Sequence, residues 1–201
     1  MMRSVTFAVM LTMLIAAVAF AETYIQMPEA DTWIWPGQGP FGSSQQLRTN
    51  NISSFDQRIV MGFDLSSIPQ EALVSTAYLN IYRYDGSAGS ALECEIFRVT
   101  EPWNENTLVN SIAYDNTGSY DQITVTGNGW YTFDLKNLVQ EWVQGSYPNY
   151  GAVFFGTGGA GLYQNFHSRE AASENPYLVV EYEITGSFQE STFGAIKALY
   201  R

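Results

Sequence analysis

The sequence holds one cysteine and one histidine in 201 residues. No internal disulfide can form, and Cys94 is expected to be a buried free thiol in a strand. Structural zinc and iron–sulfur clusters lack their ligand sets, and a lone His167 cannot build a histidine-rich metal site. Basic residues are scarce too: 9 Lys and Arg stand against 20 Asp and Glu, a net charge of −11. Such a surface repels polyanions at long range, so no nucleic-acid partner is expected. Past residue 21 no apolar run is long enough to cross a bilayer, so no membrane span is expected in the mature chain.

The apolar run that is present, Val5–Phe20, follows Arg3 and ends at Ala19-Phe20-Ala21. A positive start, an apolar stretch and an A-x-A site describe a secretory signal peptide over residues 1–21. Loss of Arg3 with it takes the net charge from −11 to −12. Residues 22–185 are expected to form one domain with a sizeable core, followed by a tail over 186–201.

The clearest pattern lies between Arg58 and Tyr84. Ile59, Met61, Phe63 and Leu65 alternate with Val60, Gly62 and Asp64. Ala77, Leu79 and Ile81 then alternate with Tyr78, Asn80, Tyr82 and Tyr84. A period of two places alternate side chains on opposite faces of a sheet. Ser66, Ser67 and Pro69 supply turn chemistry between the two strands. A strand with uncertain phase is expected over Ala91–Thr100, where a bulge or burial on both faces would explain the pattern. Ile123–Thr126, Gly129–Leu135, Gly151–Phe155 and Tyr177–Ile184 complete the strands, with an opening alternation of Thr23, Ile25 and Met27. Lys136–Gln144 is expected to be a helix, with Leu138, Val139 and Trp142 on one face and Gly145 ending it. The fold class is all-β: an antiparallel jelly-roll β-sandwich with one short helix.

Ordered fragments resemble the DNRLRE domain, a set of secreted modules that includes carbohydrate-binding module family 96. They are Ala30-Asp31-Thr32, Gly42-Ser43-Ser44, Arg58 with Phe63-Asp64-Leu65-Ser66-Ser67-Ile68-Pro69, and Ala77-x-Leu79-x-Ile81-Tyr82. Phe97-Arg98-Val99-Thr100-x-x-Trp103-x-Glu105, Trp130-x-x-Phe133-Asp134-Leu135, Leu138-Val139-x-x-Trp142 and Asn149-Tyr150-Gly151 follow. Phe166-x-Ser168-Arg169-Glu170 and Pro176-Tyr177-Leu178-Val179-Val180 close the set, which covers Thr23 to Ile184. The resemblance implies a jelly-roll sandwich without catalytic activity. Asn110 stands where the family often has Trp. Alginate, bound by some members, suits a mature charge of −12 poorly.

Sugars are held by aromatic rings stacked on the pyranose face, with polar neighbours on the hydroxyls. Two clusters suit this role: Trp33 with Trp35, and Tyr78, Tyr82 and Tyr84 with Asn80. The competing reading is core or rim packing. Arg58, His167 and Arg169 are candidates to grip a uronic acid, or to pair structurally with Asp64 or Glu170. For a structural calcium the candidates are Asp31, Glu105 and Asp134, the alternative being ordinary turn carboxylates. Gly156–Gly161 satisfies G-x-G-x-x-G, but a strand-like segment follows instead of a helix, which excludes a nucleotide site. Glu105 and Glu170 form a glycosidase pair on paper only.

The expected function is therefore a secreted, non-catalytic module that recognises a polysaccharide. The alternative is a structural or adhesive surface protein acting through protein contacts. Ser191-Thr192 can cap a short helix bearing Phe193, Ile196 and Leu199. That tail is a candidate contact for a cell-surface or secretion-machinery partner, the bland reading being a frayed end.

Overall fold

The computed structural model describes residues 18–52, 56–87, 91–158 and 162–186. Most of the expected leader and almost all of the expected tail lie outside these residues. Two antiparallel sheets pack as a β-sandwich. The first contains β1 (Val18–Gln26), β3 (Gln46–Asn50), β5 (Leu73–Gly86), β8 (Gly129–Asp134), β10 (Tyr163–His167) and β11 (Tyr177–Gly186). The second runs β2 (Ala30–Ile34), β4 (Arg58–Gly62), β9 (Ala152–Gly156), β6 (Leu92–Arg98) and β7 (Asp121–Val125) in spatial order. The helix α1 spans Lys136–Val143 and buries Leu138, Val139, Trp142 and Val143. Just before it, Asp134 Oδ1 accepts from the Lys136 amide at 2.9 Å. Gly145, at φ +73°, ends it.

The fourteen-residue β5 is the hub. Tyr78 pairs with Val179 of β11 and with Asp134 of β8, so these two strands flank β5 on opposite sides. The last residues of β5 pair with β10. Ala77, Leu79 and Ile81 point into the core, as their period predicts. In β1 the period holds with the opposite outcome for its apolar set. Ile25 is exposed, whereas Tyr24 packs on the core and donates from its hydroxyl to the Asp64 carbonyl at 2.8 Å.

Between the sheets, Phe154 of β9 contacts Phe133 of β8 and Phe166 of β10, with ring centroids 5.2 and 5.8 Å apart. All three rings are fully buried. The second sheet is also covered on its outer side. Ile34, Val60, Phe97, Val99 and Val153 form a second buried cluster beneath Trp103, Leu108, Ile112 and Tyr114. Burial on both faces therefore explains the irregular phase of β6: Cys94 and Ile96 join the main core, Phe97 and Val99 the outer cluster. After Gly156 the next described element is the strand β10, not the helix that a phosphate loop requires; residues 159–161 lie outside the described set.

Phe154→Ala removes the ring that joins both sheets and should cost about 3–5 kcal/mol in denaturant unfolding. Burial pushes the Cys94 thiol up to about 12. It should therefore ignore a thiol reagent in the native protein and react completely once the chain is unfolded, a contrast that absorbance titration reads directly.

Candidate functional site

The outer face of the first sheet carries the exposed rings. Alternation in β5 sends Tyr78, Asn80, Tyr82 and Tyr84 outward. Alternation in β8 sends Trp130 and Thr132 to the same side, because Trp130 pairs with Tyr82 and Thr132 with Asn80. Tyr177 enters from β11 opposite Asn80. Trp130 is 46% exposed and meets Tyr82 and Tyr177 edge-on, at centroid distances of 5.4 and 5.5 Å. His167 of β10 extends the row, 5.5 Å from Tyr82 and stacked on Tyr84 at 4.7 Å. Its Nδ1 lies 2.9 Å from the Ser173 carbonyl, which fixes the ring.

Polar groups stand between these rings. Thr132 Oγ1 donates to Asn80 Oδ1 at 2.8 Å. The Tyr84 hydroxyl lies 2.8 Å from the Gln46 carboxamide. Burial and the neighbouring Asp85 raise the Tyr84 hydroxyl above its ordinary range, so it keeps its proton at neutral pH. Beyond Tyr84 the row opens into a depression of about 670 Å³ lined by Gln46, Tyr84, His167 and Ser173. The face thus offers broad apolar rings, hydroxyls and carboxamides along one line. That is the chemistry for stacking on a sugar ring and bonding its hydroxyls.

A second cluster lies at one end of the sandwich. Asp31 at the start of β2 is 1% exposed. Its amide donates to Glu105 Oε2 at 3.1 Å, and its Oδ2 accepts from the Arg169 amide at 2.8 Å. The Arg169 guanidinium binds Glu105 at 2.6 Å and Glu170 at 2.7 Å, and also reaches the Glu29 carbonyl. Burial raises the Asp31 carboxyl to about 7, the Arg169 amide opposing and the Glu170 charge adding to the rise. Gly42 allows the 40–44 loop to close on this cluster, since a Cβ there would sit 2.6 Å from the Glu105 carbonyl oxygen. A recess of about 350 Å³ adjoins it, lined by Trp103, Glu105, Asn149 and Tyr150.

The candidates named from sequence do not all come together. Tyr78, Asn80, Tyr82, Tyr84 and His167 come together on the outer face. Trp33 does not join them: it is 5% exposed and stacks on Phe41 at 4.0 Å inside the core. Trp35, partly buried, lies 6.0 Å from Trp33. Arg58 pairs with Asp56 rather than Asp64, with its guanidinium 4.4 Å from the Phe155 ring centre. Arg169 is the clamp just described. Of the calcium candidates, Asp31 and Glu105 meet, whereas Asp134 lies elsewhere and accepts from the Lys136 amide at the start of the helix. Glu170 takes the third place in that cluster. Sequence reasoning left Trp130 and Tyr177 out of the ring row. The alternation of β8 and β11 marks their faces, but only strand pairing shows that those faces adjoin β5.

The sequence model of carbohydrate-binding module family 96 matches residues 22–182. The chain belongs to carbohydrate-binding module family 96. Such modules are typically non-catalytic. The family 96 chain is also 28% identical over 138 residues to bone morphogenetic protein 4 of Gallus gallus. That alignment covers 66% of this chain and 33% of the relative, so the chain spans about a third of that protein. In the family 96 fold no helix among the described residues is long and apolar enough to cross a membrane.

Arg169→Leu leaves Glu105 and Glu170 without their shared cation, while the backbone amide of residue 169 still serves Asp31. With the side chain 27% exposed, unfolding stability should fall by about 3 kcal/mol, the lower end for breaking a buried ion pair.

Proposed function

We propose that this family 96 module is exported and binds a neutral polysaccharide across the outer face of the first sheet, without cleaving it. The row of Trp130, Tyr82, Tyr177, His167 and Tyr84 carries this reading. An exposed Trp held edge-on by two tyrosines costs hydrophobic exposure, and a ligand that covers it recovers that loss. Val179 and Ile25 extend the apolar surface through successive pairs, Tyr78 to Val179 to Ile25. An extended polymer fits such a band better than a small ligand.

Neutrality follows from the polar groups beside the rings. Asn80, Thr132 and Gln46 carry no charge, and the Glu174 carboxylate lies 3.4 Å from His167 Nδ1, where it opposes an anionic ligand. The mature charge of −12, from −11 less Arg3, opposes an anionic polymer. Absence of cleavage is supported by the one carboxylate pair considered for it. Arg169 bridges Glu105 and Glu170, filling the gap that a scissile bond would enter. Family membership is compatible with an extracellular protein, and the sequence pattern of residues 1–21 supports export.

Depletion of the protein by a panel of insoluble and soluble polysaccharides tests the reading. Saturable binding to a neutral polymer is expected, with alginate as the anionic comparison. Trp130→Ala and Tyr82→Ala should each weaken binding about tenfold, the loss of one stacking contact of roughly 1.4 kcal/mol. Trp130→Ala should leave the melting temperature nearly unchanged, because its ring is exposed. No depletion by any neutral polymer would overturn the proposal and favour the adhesive alternative.

A further inference from the structure

We propose that Asp31, Glu105 and Glu170 bind one calcium ion, which ties the two sheets together at the Arg169 end of the sandwich. The observation that carries this is a pair of orphaned oxygens. Asp31 Oδ1 and Glu170 Oε2 are both buried and neither receives a hydrogen bond. The other contacts of the cluster are accounted for. Asp31 Oδ2 takes the Arg169 amide, Glu105 Oε1 and Glu170 Oε1 take the Arg169 guanidinium, and Glu105 Oε2 takes the Asp31 amide. A buried carboxylate oxygen without a donor carries a full desolvation cost, so something positive is needed between the two.

Charge and spacing select the ion. With all three carboxylates ionised, as a bound cation requires, they and one guanidinium carry two negative charges, which one divalent cation neutralises. One oxygen from each of Asp31, Glu105 and Glu170 lies within 4.8 Å of the others. An ion at the usual calcium–oxygen distance of about 2.4 Å fits within that span. The donor set is all oxygen, with no sulfur or imidazole, which suits a hard cation and not zinc or copper. The ion would join β2 of the second sheet, the loop after β6 and the loop after β10 of the first sheet. No ring of the outer-face row is among its three ligands, so its test involves no glycan.

Titration calorimetry of the chelator-treated full chain with calcium chloride should show one site per chain. Calcium well above its dissociation constant should raise the melting temperature by about 5–10 °C over chelator. Glu170→Gln supplies an N–H that can donate to Asp31 Oδ1 while keeping an oxygen for Arg169. It should abolish the calcium response and, in chelator, melt higher than the wild type. Asp134→Asn, which changes a carboxylate outside the cluster, should keep the full calcium response. If Glu170→Gln fails to fold, the wild-type calorimetry still decides. No heat of binding, and a melting temperature that ignores calcium, would overturn the proposal and leave a proton shared by Asp31 and Glu170 as the occupant.

Discussion

The structure depends on β5 meeting demands on two edges and two faces at once. Its edges bond β11 and then β10 on one side, and β8 on the other. Its inner face contributes Ala77, Leu79 and Ile81 to the core. Its outer face holds Tyr78, Asn80, Tyr82 and Tyr84. A shift of one residue in register would turn the tyrosines into the core and the aliphatic residues to water. The same alternation that stabilises the sandwich therefore also fixes the ring row. Core and ring row are two sides of one strand.

The two sheets differ in how their outer faces are treated. The loops around Trp103, Leu108, Ile112 and Tyr114 cover the second sheet and make a second small core. Trp103 is anchored there by its indole N–H, which donates to the Tyr150 carbonyl at 2.7 Å. Among the described residues the first sheet has no such cover over Trp130, Tyr78 and Tyr82. A sandwich that spends its long loop on one side leaves the other side open to a ligand, and the open side is the one rich in rings.

Arg169 solves a separate problem. Three acidic side chains and a backbone carbonyl from distant segments converge at one end of the sandwich. A planar guanidinium with five donors can bond several of them at fixed angles, which a lysine cannot. Arg169 also spends its own backbone N–H on Asp31. The cluster thereby sets the approach of β2, the 101–110 segment and the turn after β10. Two of its oxygens, Asp31 Oδ1 and Glu170 Oε2, are buried without a hydrogen-bond donor.

Much of the fold was legible in the chain. The periods of β4, β5, β8 and β11 named their inward residues, because alternation is a local geometric property. The helix and its glycine stop were legible for the same reason. The sequence alone also excluded an internal disulfide, since the chain has a single cysteine. What the tertiary structure decided is which surfaces meet. Trp33 and Trp35 look like a sugar platform by local parity, yet Trp33 is buried because Phe41 folds over it. Trp130 joins Tyr82 only because β8 pairs with β5, more than forty positions away along the chain. Asp134 and Glu170 exchange places in the carboxylate cluster for the same reason. Alternation follows from the geometry of each peptide unit, so it can be read residue by residue; pairing and convergence depend on the free energy of the whole core, which no short stretch contains.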